Sequence, residues 1–151
     1  MPLVIQLPEY TQLIFRSSFL SILSVISAWN NRCYDNFALA SLVMCSSILY
    51  WRDPVDGWRR RLDMVAVNGT VIYQVFYSAL FIEDIAVRAI YWCIVVSAIE
   101  CYLLARYYGR VLRDFEVASQ CHVGLHLLGN VSNLILYNSL KMTPYHPPYL
   151  S

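Results

Sequence analysis

The sequence predicts an all-α, polytopic transmembrane helix bundle, with about five membrane-spanning helices forming a single integral membrane domain over 1–151. Three observations predict it. Apolar residues make up 58% of the chain and charged residues only 14%, against about half and about a quarter in soluble domains. The charge deficit weighs more. A soluble surface needs charge, whereas each Asp, Lys or Arg at the bilayer centre costs about 2.5–3.5 kcal/mol. The third observation is the aromatic content: twelve Tyr, with Trp29, Trp51 and Trp58 at the ends of apolar runs, where amphipathic rings favour the membrane–water interface. Helix is the expected form, because open strands cannot cross lipid and the alternating pattern of a barrel is absent.

Five apolar stretches follow in order, at about 11–29, 37–51, 62–82, 85–107 and 119–140. Crossing about 30 Å of hydrocarbon takes roughly 20 helical residues. Four stretches meet that length. The second is short, so it either begins earlier, near Asn31, or sits in a thinned region. No internal repeat is evident. The tail, 143–151, is rich in Pro and Tyr and is expected to be extended.

The connections differ in character. Arg52, Arg59, Arg60 and Arg61 face Asp53 and Asp56 in the second, where Pro54 and Gly57 mark a turn. Glu83 and Asp84 make a tight acidic turn, with Arg88 one turn beyond. Arg106, Arg110 and Arg113 balance Asp114 and Glu116 in the fourth. With five helices the two Arg-rich connections share a side. The positive-inside rule places that side, and the N-terminus, in the cytosol or in an organelle's matrix or stroma. The first ten residues carry neither a basic region nor a small-residue cleavage site, so no cleaved secretory signal is expected.

A net charge of +1 leaves no nucleic-acid footprint. The five cysteines are scattered, and none forms a CxxC pair. They read as small buried packing residues rather than a disulfide framework.

The polar residues inside the apolar stretches carry the functional signal. Ser17, Ser21, Ser24 and Ala28 line one face of the first helix, where small residues allow close helix approach. Asp63 opens the third helix, and Thr70, Gln74 and Tyr77 continue its face. Glu100 lies near the inner end of the fourth. His122 and His126, four apart, stack on one face of the fifth, which Asn130, Asn133 and Tyr137 extend. Polar stripes are costly against lipid, so they should face each other or a cavity. By depth, Ser46, Ser47, Asp63, Glu100, His122 and His126 should converge near the inner membrane face. Two readings stand. One is a metal site in which His122 and His126 hold zinc with Asp63 or Glu100, activating water for hydrolysis. The other is interhelical hydrogen bonding. The sequons at Asn68 and Asn130 fall within helices, where glycosylation is not expected.

The segment Cys121-His122-Val123-Gly124-Leu125-His126, together with Leu62-Asp63 and with Ser46 or Ser47, resembles the motif set of the CREST superfamily, which includes alkaline ceramidases and the progestin and adipoQ receptors. The resemblance implies a zinc-dependent hydrolase of lipid amides, with Ser46 or Ser47 and Asp63 as candidate catalytic residues. It covers three short motifs. The superfamily pattern is Ser-x-x-x-His, but Tyr50 follows Ser46 by four and Trp51 follows Ser47 by four, so the third imidazole is missing. Seven helices are usual there, and this chain has room for about five.

Three functions compete: a non-catalytic subunit packed in a larger membrane assembly, a CREST-like zinc hydrolase, and a small carrier or channel. The expected surroundings are the lipid bilayer and other membrane subunits. Short connections, no soluble domain and a body that needs only surfaces to bind favour the first.

Overall fold

The computed structural model describes residues 8–140; the expected extended tail lies outside them. The described chain forms α1 (Pro8–Ser18), α2 (Ser21–Asn30), α3 (Tyr34–Trp51), α4 (Trp58–Phe76), α5 (Ile85–Tyr107) and α6 (Phe115–Leu140). A 3₁₀ turn, Ser78–Phe81, follows α4, and a π-helical turn, Tyr108–Leu112, follows α5.

The first two helices form one rod. Leu20 N–H donates to Ser17 O and Leu23 N–H to Leu20 O, both at 3.0 Å, carrying the backbone across Phe19 and Leu20. The second expected stretch starts earlier, at Tyr34, and the third begins at Trp58, so Asp63 lies in the second turn of α4 rather than at its first residue. Asp84 caps α5 by accepting from the N–H groups of Ala86 (2.8 Å) and Val87 (3.2 Å). Arg88 Nε reaches back to Ile82 O at 2.8 Å, which completes the tight acidic turn. Asp114 accepts from Val117 N–H at 3.1 Å, capping the start of α6.

Cross-helix pairs fix the directions. Ser17 meets His126, Ser24 meets Asn130, and Asn31 meets Asn138, so the α1–α2 rod and α6 run parallel. Asn36 meets Ser78 and Ser47 meets Asp63, so α3 and α4 run antiparallel. Ile14 packs on Tyr50 and Trp51 while Trp29 packs on Phe37, so the rod and α3 run antiparallel and α4 runs parallel to α6. Gly124 lies beside Cys101 and Gly109 beside Ala118, so α5 and α6 run antiparallel. The five rods therefore alternate in direction, and the Arg-rich turns after α3 and α5 emerge at the same end.

Among the described residues, three rods are long and apolar enough to cross a membrane: Tyr10–Asn30, Trp58–Phe81 and Ile85–Leu112. Length alone admits four of the five expected stretches; length and apolarity together admit three. The other two rods, α3 and α6, carry buried polar side chains. Asn36, Ser46, Ser47, Ser119, Asn130 and Ser132 are all buried, and they lower the apolarity of the helices that hold them.

The helices α1, α2 and α5 pack on α6, while α1, α2 and α4 pack on α3. The main apolar core joins Ala28, Ala79, Ile82, Tyr91, Val95, Leu136 and Tyr137. A second, smaller core holds Ile14, Tyr50 and Trp51. Trp51 departs from the expected interfacial belt. Trp29 and Trp58 are 56% and 64% exposed, but Trp51 is 7% exposed and turns inward. The cysteines depart as well: all five are free thiols, Cys45 and Cys93 are exposed, and Cys33, Cys101 and Cys121 are only half-buried.

Candidate functional site

The site forms where the last turn of α3, the second turn of α4 and the first half of α6 meet. The α3–α4 turn is short and clamped by charge: Arg60 bonds Asp56 at 3.0 Å, and Arg59 lies 3.8 Å from Asp53. Such exposed pairs contribute little stability, but they shape a turn that brings Ser46 and Ser47 over Asp63. The Oδ1 of Asp63 accepts from Ser47 Oγ at 2.5 Å and from Ser46 Oγ at 3.1 Å. Its Oδ2 has no hydrogen-bond partner among the described residues.

Register places the histidines opposite. Gln74 Nε2 donates to Tyr137 Oη at 2.7 Å. Counting back eleven residues on each of these parallel helices reaches Asp63 and His126. The rings of His122 and His126 stand edge to face with centroids 4.9 Å apart. The ring of Trp51 also meets that of His122 edge to face, with centroids 4.9 Å apart. The Nδ1 of His126 lies 2.7 Å from Ser17 Oγ, and Ser17 Oγ donates to Ile14 O at 2.8 Å. A hydroxyl has one proton, and a carbonyl can only accept. Both contacts are satisfied together only if Nδ1–H donates to Ser17, which leaves a lone pair on Nε2.

A cavity of about 260 Å³ runs from this point between α4 and α5, with α6 behind it. Ser47, Asp63, His122 and His126 line one end of it, and Thr70, Gln74 and Asn130 line it further along. Val67, Val71, Val95 and Leu125 supply apolar wall. The cavity exists because α4 leans on α3 and α5 leans on α6, so α4 and α5 do not close on one another.

The structure thus brings together Ser46, Ser47, Asp63, His122 and His126, as depth in the sequence suggested. Glu100 is a correction: it is exposed and stands apart from the cavity. Depth alone placed it near the others, but angle excludes it. Tyr91, Val95, Ala98 and Tyr102 form the cavity face of α5, and Glu100 sits about 200° around from Ala98 at roughly 100° per residue. Tyr77 is likewise off the α4 stripe, 43% exposed, because the α-helix ends at Phe76.

Two contributors escaped the sequence reading. Ser17 reads as a packing residue but holds His126. Trp51 reads as an interface anchor but covers His122. For Trp51 a signal existed: it follows Ser47 by four residues and so shares its helix face.

The residues do not fit the three-imidazole zinc set that the family resemblance implies. The position of the third imidazole is a phenol, Tyr50, or an indole, Trp51. Among the described residues, no three of His, Cys, Asp and Glu come together as a ligand set. No family model, curated protein or solved structure matches this chain.

Proposed function

We propose that this chain is a five-span integral membrane protein acting as a non-catalytic subunit of a larger membrane assembly. Its Arg-rich turns and N-terminus lie on the cytosolic, matrix or stromal side. The observation that carries the reading is Trp51 against His122. An indole stands four residues after Ser47, where the resemblance would set a third imidazole, and packs on His122; an indole donates but cannot ligate. The alternation of the five rods supports the count. Exposed Val65, Ile72 and Phe76 on α4, and Ile85, Ile90 and Leu103 on α5, give the outward surface that lipid or a partner helix would cover. Mild solubilisation followed by crosslinking and native mass spectrometry tests the subunit role. The expected result is a defined hetero-complex; a monodisperse monomer without partners, from its own membrane, would overturn it.

A zinc hydrolase is the second reading. The Ser47–Asp63 hydrogen bond and the histidine pair around one cavity favour it. Elemental analysis of protein purified without chelator separates the two. The subunit reading expects zinc well below one per chain, and stoichiometric zinc would replace it with the hydrolase.

A further inference from the structure

The cavity has an unusual inventory of unused polar valences. Among the described residues, Asp63 is its one acidic residue, and no Lys or Arg lines it. Asp63 Oδ2 and the Nε2 lone pair of His126 are acceptors without a donor. Thr70 is 5% exposed, and its Oγ1 has no hydrogen-bond partner. Thr70 lies seven residues from Asp63 on the same helix, about 10 Å along the axis at roughly 1.5 Å per residue. Polar groups therefore mark two levels of a mostly apolar cavity.

We propose that this cavity binds the protonated amine of a single-chain amphiphile, with Asp63 as its counter-ion and the alkyl chain lying in the cleft between α4 and α5. An ammonium group carries three donors and no acceptor, which complements a carboxylate oxygen and an imidazole lone pair. A carboxylate of low exposure in apolar surroundings needs a cation more than it needs a neutral donor. Val67, Val71, Val95 and Leu125 offer methylene contacts beyond the head group. A fatty carboxylate would be repelled by Asp63, and a neutral alcohol would leave its charge unanswered. The inference goes beyond the subunit role and does not depend on it, because the site lies wholly within one chain.

Octylamine, octanol and octanoate, titrated against the full chain in phosphatidylcholine nanodiscs, test the proposal by thermal unfolding. Octylamine is expected to raise the midpoint saturably by several degrees, with octanol and octanoate giving little shift. Asp63→Asn should abolish the octylamine shift, and Thr70→Val should keep the preference for the amine. If Asp63→Asn does not fold, Ser47→Ala serves instead and should weaken octylamine binding several-fold. Equal shifts from octanol and octylamine would overturn the proposal. So would an undiminished octylamine shift in Asp63→Asn or, where that does not fold, in Ser47→Ala, or a saturable shift from zinc chloride with none from octylamine. A chain that binds octylamine yet purifies without partners would overturn the subunit role alone.

Discussion

The seam between the α1–α2 rod and α6 contrasts with the cleft between α4 and α5. Both place polar side chains inside an apolar bundle. In the seam those side chains consume one another. Ser17 meets His126 at 2.7 Å, Ser24 donates to Asn130 Oδ1 at 2.5 Å, Asn133 donates to Ser24 at 3.2 Å, and Asn31 donates to Asn138 at 3.3 Å. The small residues Ser17, Ser24 and Ala28 let the backbones approach closely enough for this. In the cleft the helices stay apart, and Asp63 Oδ2 and Thr70 Oγ1 are left over. Polar content in a membrane bundle therefore has two outcomes, decided by how near the helices lie. Close helices turn it into a fastening, and separated helices turn it into a site.

The contrast can be broken most forcefully where the seam meets the core. Tyr137 is fully buried and accepts from Gln74. Tyr137→Ala should destabilise the bundle by about 3–5 kcal/mol, read by denaturant titration in neutral detergent; a loss under about 1 kcal/mol would mean that this core is not the keystone. Asn130→Leu removes the bond from Ser24 and the bond to His126 O, and should cost about 1–2 kcal/mol. Thr70→Val tests the opposite side of the comparison. It deletes a buried hydroxyl that has no partner, so the expected change in the unliganded protein is neutral to about 1 kcal/mol stabilising. A Thr70→Val loss as large as that of Asn130→Leu would erase the distinction between fastening and site.

Smaller effects sharpen the picture at the seam's end. Arg32 turns the chain between α2 and α3 with φ 58°, a left-handed conformation that costs a non-glycine residue about 1 kcal/mol. Arg32→Gly should therefore stabilise slightly or be neutral, and a marked loss would assign the Arg32 side chain a role of its own. Beside it, burial and then the charge of Asp35 push the Cys33 thiol up to about 11 from 9.0. A thiol that ionises later in the folded than in the unfolded chain supports folding below pH 9. That support fades as pH rises toward 11. Alkylation of Cys33 should accordingly stay slow until pH approaches that range, and rapid modification at pH 8 would show that the turn opens.

Much of the architecture was legible because lipid leaves the backbone few choices. Stretches 62–82 and 85–107 needed only their apolar length and the acidic turn between them, and the structure resolves them as α4 with its 3₁₀ turn and as α5. The polar stripe of α6 was legible too, since His126, Asn130, Asn133 and Tyr137 recur at helical spacing. Reading Glu100 into the site failed because depth along a helix is visible in sequence while rotation about its axis is set by packing. Trp51 failed for a related reason: composition favours an interfacial indole, yet Ile14 and His122 offer it an inner pocket.

By itself the sequence determined that this protein is a bundle of apolar helices and that its polar residues must avoid lipid, because desolvation acts on each residue type wherever the chain folds. Only the tertiary structure decided which polar groups spend their hydrogen bonds on each other and which remain open. That depends on the distance between helices, and α4 and α5 stand apart where the α1–α2 rod and α6 touch.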